Sequence, residues 1–336
     1  MAIEILLLIG GGLLVALTLA DVFDTVVVPG GSRTSMRVAR RLARLLLPLW
    51  KAVRGRRRGL SALFAPTVLV GCFTIWMFLL CIGFAMMSYA LPSSFHPPLK
   101  SFWDGFYLVG SSLVTVGLSE TNATGPGRWV VLAAGFCGLA VMTMAVTYLL
   151  TVQSSIAKRD IGIIKLNTSA GEPPSALTLL EKFAAIGNRG ELGEVLKEGR
   201  NWCATVRQSH SSHPSLIYFQ SVGIGAGWPA ALGALLDLAL IAERMLDEPD
   251  LRGPAILLRE EALRMAEELA ELLGVRRERP DDVTPAMEQV AARLREAGYG
   301  LQDVDAKAVA HARAEHESCV RGLADHLGRP SAVLVR

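Results

Sequence analysis

Long apolar stretches alternate with polar segments in the first half of the chain. Three of them, at about Ile3–Val28, Pro66–Leu91 and Trp129–Gln153, reach the roughly 20 apolar residues that a helix needs to cross a bilayer. From Lys158 onward, apolar residues recur at helical spacing and no strand alternation is evident. The pattern predicts an all-α membrane protein with three transmembrane helices and a C-terminal α-helical cytoplasmic domain.

The second half divides into helical segments at positions where glycine and proline punctuate the pattern. Because proline is tolerated at the start of a helix and glycine is favoured past its end, these residues set the expected limits. The predicted helices are Ser175–Ile186, Glu191–Gln208, Pro214–Val222, Pro229–Met245, Pro254–Leu273, Pro285–Ala297 and Val304–Leu327. We expect some of the apolar surface of Leu216–Phe219 and Trp228–Ile241 to meet a neighbouring subunit.

Charge is distributed unevenly along the chain, which is 51% hydrophobic and 19% charged. A dense basic segment spans residues 33–58, and positive charge stays on the cytoplasmic side. We therefore expect a multi-pass inner-membrane protein with its N-terminus outside. The favoured interpretation of the basic segment is an amphipathic helix on the anionic inner leaflet. A voltage-sensing span is the alternative, but Pro48 and the Arg54–Arg58 run leave too little apolar length.

These features predict four regions. They are an N-terminal transmembrane helix at 1–30, a basic interfacial helix at 31–60, a membrane region with two spans at 61–155 and a cytoplasmic α-helical domain at 172–336. The net charge of +3 does not indicate a nucleic-acid partner.

A short polar string, Thr115–Glu120, stands between two apolar segments. Non-helical backbone survives at membrane depth only where it lines a pore or is buried in protein. Gly117 allows backbone angles that a residue with a Cβ resists. Ser101 and Asp104 have the spacing of a capping box, which predicts a helix over Phe102–Val114 that is too short to cross. The pattern indicates a re-entrant pore helix followed by a filter segment, so the region at 61–155 is predicted to be a pore domain.

This order of outer helix, pore helix, Thr-Val-Gly string and inner helix resembles the pore region of potassium channels over about Pro66–Gln153. The resemblance implies that K⁺ ions are held by the filter residues Thr115, Val116, Gly117, Leu118 and Ser119. We expect Asp104 and Glu120 to raise the cation concentration at the pore mouth. The resemblance also implies a gating hinge at Gly138, with Gly135 nearby; close helix packing is the alternative role for these glycines.

The filter region departs from the usual potassium-channel pattern at three positions, one of which is Glu120 in place of an aspartate. Leu118 replaces an aromatic residue, so the hydroxyl that braces the filter from behind is missing, and Ser119 replaces a glycine. We therefore expect weakened outer ion sites. The string "TVGLS" also resembles filter segments of Trk/Ktr-type potassium uptake proteins, which carry four pore repeats. The segments "DVFDTVVVP" and "HPSLIYFQSVG" resemble a group of bacterial potassium-channel-like proteins.

One pore loop cannot surround an ion, so we expect four chains to form a homotetramer. The sequence favours a potassium-conducting cation channel with a cytoplasmic assembly or regulatory domain. Three alternatives are open: a non-selective monovalent cation channel, an ion-uptake subunit, and a non-conducting membrane sensor or scaffold. We expect no enzymatic activity and no cofactor apart from permeant K⁺ ions. An unidentified regulatory ligand or protein is a possible further partner.

Overall fold

Helices form nearly all of the regular structure in the computed structural model, which describes residues 1–28, 38–54, 63–220, 225–275, 283–303 and 305–335. The chain forms two compact units that divide between Val152 and Gln153. The second unit therefore includes residues 153–170 as well as the segment from 172 that the sequence predicts as a domain. Parts of the basic segment, at 33–37 and 55–58, lie outside the described residues, as do the predicted helix ends Val222 and Val304.

The first unit contains the three predicted spans. Helices α1 (Ala2–Val26), α2 (Val38–Arg54), α3 (Phe64–Tyr89), α4 (Phe102–Leu113) and α5 (Gly125–Ala170) follow in order. Of these, α1, α3 and α5 are long and apolar enough to cross a membrane, so the prediction of three spans is confirmed. A 3₁₀ turn at Pro92–Ser94 precedes β1 (Phe95–His96), which pairs antiparallel with β2 (Asn122–Ala123).

Helix α1 packs tightly against α3 through glycines. A Cβ on Gly11 would lie 2.5 Å from the carbonyl oxygen of Gly83, and a Cβ on Gly83 would lie 2.7 Å from Val15 Cγ2. A Cβ on Gly12, one position along, would meet nothing within 4 Å. The contact between the two backbones therefore depends on the face of α1 that carries Gly11.

A buried carboxylate on α1 contacts the other two helices of this region, α2 and α3. Asp21 of α1 is fully buried and accepts a 2.8 Å hydrogen bond from the indole Nε1 of Trp76 on α3. It also accepts a 3.2 Å bond from the backbone N–H of Val38, the first residue of α2. An acceptor at a helix N-terminus satisfies a backbone donor that has no partner within the helix. Asp21 thereby satisfies the N-terminus of α2.

Helix α2 is amphipathic, as the sequence predicts. Arg41 and Arg44 are exposed, whereas Trp50 is buried and stacks on Phe64 at a ring-centroid distance of 5.3 Å. Trp50 of α2 therefore packs against the start of α3, whereas Leu45, Arg41 and Arg44 are exposed.

The second unit is a helical domain, and several of its helix limits differ from the predicted ones. Its helices are α6 (Ala176–Ala185), α7 (Leu192–Ser212), α8 (Gly227–Arg244), α9 (Pro249–Leu273), α10 (Thr284–Glu296) and α11 (Ala306–Leu327). The predicted helix from Pro214 is a 3₁₀ turn, Pro214–Tyr218. A second 3₁₀ turn, Arg189–Glu191, precedes α7. Helix α9 begins at Pro249, because that proline occupies the N-terminal position, and Pro254 lies inside it.

Helix α8 forms the centre of this unit. Every residue from Trp228 to Ala242 is buried within the chain, and so are Leu216 and Ile217. Helices α7, α9 and α11 pack around α8. The same chain therefore covers most of this apolar surface, whereas Tyr218 and Phe219 are only half-buried. A contact of the remaining surface with a neighbouring subunit stays a prediction.

A buried ion network joins α8 to α11. Asp237 accepts hydrogen bonds from Arg313 Nε at 2.8 Å and from His316 Nε2 at 3.1 Å. Burial would raise the pKa of Asp237, but the Arg313 charge and the His316 hydrogen bond outweigh burial and hold this pKa below its ordinary value. The carboxylate is therefore a paired buried charge, and removing Arg313 would leave it without a compensating guanidinium.

The last part of α5 is held by the second unit. Trp202 of α7 donates its indole N–H to the carbonyl of Arg159 at 2.8 Å. A Cβ on Gly162 would lie 2.0 Å from Trp202 Cδ1, so the indole rests directly on the α5 backbone. The buried guanidinium of Arg159 donates to the carbonyls of Leu216 and Phe219 at 3.2 and 3.1 Å. Residues 153–170 thus belong to the packing of this domain.

Candidate functional site

The short helix α4 begins with the capping box that the sequence predicts. The Ser101 hydroxyl accepts from the N–H of Asp104 at 3.3 Å, and the Asp104 carboxylate accepts from the N–H of Ser101 at 2.9 Å. The same carboxylate oxygen accepts from the N–H of Lys100 at 2.9 Å. Asp104 therefore has a structural role at this helix start, beside the role at the pore mouth that the sequence predicts. With 12 residues, α4 is about 18 Å long and too short to cross a bilayer.

Helix α4 is anchored on α3 along one face. Val109 and Leu113 are buried, and the Cys81 thiol of α3 donates to the carbonyl of Phe106 at 3.4 Å. A Cβ on Gly110 would lie 3.2 Å from Cys81 Sγ, so glycine permits this close approach. The packing holds the C-terminal end of α4, where helix carbonyls concentrate negative partial charge, next to the filter residues.

After α4, residues 114–120 have neither helical nor strand geometry. Thr115 has φ 60° and Gly117 has φ 71°, both in the left-handed region. A side chain at position 117 would meet nothing within 4 Å, so glycine is required there by its backbone angle and not by space. All residues from Val114 to Glu120 are exposed in the single chain.

Backbone hydrogen bonds set the direction of two filter carbonyls. The N–H groups of Val116 and Gly117 both donate to the carbonyl of Ser111, at 2.9 and 3.1 Å. In a trans peptide the N–H and the preceding C=O point in opposite directions. The carbonyls of Thr115 and Val116 therefore point away from α4, as carbonyls that line an ion path would.

The next carbonyl points the other way. The Leu118 oxygen accepts a 2.7 Å hydrogen bond from the Ser111 hydroxyl, so this oxygen faces α4. The Ser119 hydroxyl closes a turn with Thr121, accepting from its N–H at 2.9 Å and donating to its carbonyl at 3.1 Å. The geometry differs from the expectation that Leu118 continues the row of inward carbonyls. Ser111 was missed by the sequence reasoning; the signal was a polar pair, Ser111-Ser112, at the end of an apolar helix.

The chain returns from the filter to α5 through a tight contact. Glu120 is exposed in the bend that precedes β2. A Cβ on Gly127 would lie 2.9 Å from Ser94 Cβ, which explains a glycine at the start of α5. Arg128 donates from Nε to the carbonyl of Ala123 at 3.0 Å and fixes the loop to the helix.

The two candidate hinge glycines lie in different surroundings. A Cβ on Gly138 would lie 1.9 Å from the Leu113 carbonyl oxygen, so α5 touches the C-terminal end of α4 there. A Cβ on Gly135 would lie 3.5 Å from the Ser112 carbonyl oxygen, an ordinary contact. Close packing thus accounts for Gly138, and a hinge at either glycine stays a prediction.

The comparisons with known proteins cover this region. A model of the family described as "Ion channel" matches residues 72–154. Protein LctB of Bacillus caldotenax is 31% identical over 81 residues, which are 24% of this chain and 60% of that protein. The chain thus spans less than two thirds of this relative's length. No solved structure matches.

The matched segment holds α4, the filter segment and the flanking parts of α3 and α5. It includes the helix cap, the positive-φ Gly117 and the loop that returns to α5. The similarity to Trk/Ktr-type proteins stays a prediction. The resemblance to the pore-loop channel superfamily is confirmed for residues 72–154, which match the ion channel family.

Proposed function

We propose that the protein is a homotetrameric cation channel that conducts potassium through the Thr115–Ser119 filter. The observation that carries the proposal is the exposed, non-helical backbone of residues 114–120 between two membrane-spanning helices. Such backbone is tolerated at membrane depth only against protein or a water-filled path. Four copies arranged around an axis would supply both, since each contributes one filter segment.

The permeant ions would be coordinated by rings of backbone oxygen. The carbonyls of Thr115 and Val116 point away from α4, which directs them toward the axis of such a tetramer. The Thr115 hydroxyl would add a ligand at the inner end. The exposed carboxylates of Asp104 and Glu120 would raise the cation concentration at the outer mouth.

The rest of the chain fits an inner-membrane orientation with the helical domain in the cytoplasm. The exposed Arg41 and Arg44 of α2 would then meet anionic lipid headgroups of the inner leaflet. Because α5 ends in residues that Trp202 holds, a ligand or protein that alters this contact would act on the inner helix. We therefore assign the domain an assembly or regulatory role.

The test is ion flux from purified protein in liposomes, with K⁺ and Na⁺ compared and the oligomer mass measured in detergent. We expect four-subunit particles, K⁺ flux above Na⁺ flux, and loss of flux in Gly117→Ala with the oligomer intact. Equal K⁺ and Na⁺ fluxes would indicate a non-selective channel. A slow, saturable flux would indicate an uptake subunit, and no flux at all would indicate a sensor or scaffold.

A further inference from the structure

Ser111 contacts three successive residues of the filter segment. Its carbonyl accepts hydrogen bonds from the N–H groups of Val116 and Gly117, and its hydroxyl donates to the Leu118 oxygen at 2.7 Å. The hydroxyl also lies 3.1 Å from the Leu108 oxygen of its own helix. A hydroxyl has one proton to donate, and the shorter distance favours the bond to Leu118.

The neighbouring serine provides an internal comparison. Ser112 also has its hydroxyl 3.1 Å from the Leu108 oxygen, which is the usual bond of a serine within a helix. Among the described residues, the Ser112 hydroxyl donates no hydrogen bond to residues 114–120. The hydroxyls of the two serines thus differ in one bond, the bond from Ser111 to the Leu118 oxygen.

The bond from Ser111 decides the direction of one peptide group. Because the Leu118 oxygen faces α4, the N–H of Ser119 in the same trans peptide faces the opposite side. The carbonyls of Thr115 and Val116 face away from α4. At the outer end of the filter, a donor therefore stands where a further oxygen ligand would otherwise be.

We propose that Ser111 determines cation specificity by holding the Leu118 carbonyl against the pore helix, which removes one carbonyl ring from the outer end of the filter. The inference rests on the proposed channel function. A filter with fewer carbonyl rings replaces less of the hydration shell of K⁺, so it discriminates less against Na⁺. Ser111 is a positioning residue, since it acts through Leu118 and does not touch the ion.

The experiment compares Ser111→Ala with Ser112→Ala in full-length protein reconstituted in liposomes of stated lipid composition. Without the hydroxyl, the Leu118 oxygen loses its donor and is free to turn toward the cation. One net hydrogen bond shifts such an equilibrium by about fivefold. We expect the K⁺/Na⁺ permeability ratio of Ser111→Ala to rise by up to about that factor. Ser112→Ala, and Ser111→Thr with its hydroxyl retained, should keep the wild-type ratio.

A second readout does not depend on conduction. Potassium that binds the folded protein raises its thermal stability with ion concentration. We expect Ser111→Ala to reach half of this stabilisation at a lower K⁺ concentration than wild type. If Ser111→Ala does not assemble, Ser111→Cys, whose thiol is a weaker donor, should give an intermediate ratio.

Two outcomes separate the inference from the function on which it rests. A wild-type protein that does not conduct K⁺ would refute the channel proposal itself. A conducting wild type with an unchanged or lower ratio in Ser111→Ala would refute the role of Ser111 alone. A raised ratio in Ser112→Ala would show that loss of any hydroxyl here has the same effect, and would also refute it.

Discussion

Replacement of Gly138 by alanine is expected to separate α5 from the C-terminal end of α4. The added Cβ would lie 1.9 Å from the oxygen and 2.6 Å from the carbon of the Leu113 carbonyl. Both atoms belong to backbone, which cannot rotate aside as a long side chain does. Because ordinary contact begins near 3.4 Å, α5 and the end of α4 must move apart by about 1.5 Å, a shift that tightly packed interiors resist.

The magnitude follows from two opposing effects. Overpacking costs about 1–3 kcal/mol at one site, whereas alanine favours an interior helical position over glycine by about 1 kcal/mol. Gly135→Ala gains the same helix preference without overlap, since its Cβ would lie 3.5 Å from the nearest atom. The helix term is common to both variants, so their difference of about 1–3 kcal/mol per subunit isolates the overlap.

The assay is thermal unfolding of the two variants and wild type in the same detergent, together with K⁺ flux in liposomes. We expect Gly138→Ala to unfold at a lower temperature than Gly135→Ala, and to conduct with altered selectivity because Leu113 adjoins the filter. A hinge role predicts something different, since both alanines would then stiffen α5 and reduce opening. Equal unfolding temperatures for the two variants would refute the packing account of Gly138.

Three further outcomes are expected. Gly11→Ala should weaken the docking of α1 on α3, by up to about 3 kcal/mol, while Gly12→Ala should not; proteolysis of α1 in detergent would detect the difference. Trp202→Phe keeps an aromatic ring over α5 but loses the hydrogen bond to the Arg159 carbonyl. The free energy of unfolding of the second unit should fall by about 1 kcal/mol, and an unchanged thermal midpoint would contradict this. Burial, with the Arg159 charge next, lowers the pKa of His210 to about 3, so the unfolded chain alone takes up a proton below pH 6.5. Stability should then fall by about 2 kcal/mol between pH 8 and pH 5, and His210→Gln should remove that part of the loss.

The sequence was a reliable guide where a feature depends on neighbours along the chain. The three spans follow from the length of apolar runs, and α4 follows from the Ser101–Asp104 cap, because both signals are local. The positive φ at Gly117 was likewise expected from its residue type. These features place the candidate site between α4 and α5 before any coordinates are known.

Features that depend on distant neighbours were not predictable in the same way. The apolar stretch that begins at Trp228 looks alike whether it faces a second subunit or the centre of its own domain, and the structure shows the latter. Gly138 fits a hinge or a close contact equally well until Leu113 is seen against it. The sequence around Asp21 does not indicate its hydrogen-bond partner Trp76, which lies on another helix. Each of these contacts requires the tertiary arrangement, because the hydrophobic pattern predicts secondary structure but not which residues will be neighbours.

The physical effect of Leu118 and Ser119 in the Thr115–Ser119 segment depends on contacts with α4. Leu118 lacks a hydroxyl that could brace the filter from behind, but a brace is still present, because Ser111 on the pore helix supplies the donor. This brace acts on a main-chain oxygen, so it decides where that oxygen points. Ser119 then ends the segment by turning back on Thr121. Two serines, one before and one after the Thr-Val-Gly string, thus shape the outer filter end, and ion specificity should depend on them as much as on the string itself.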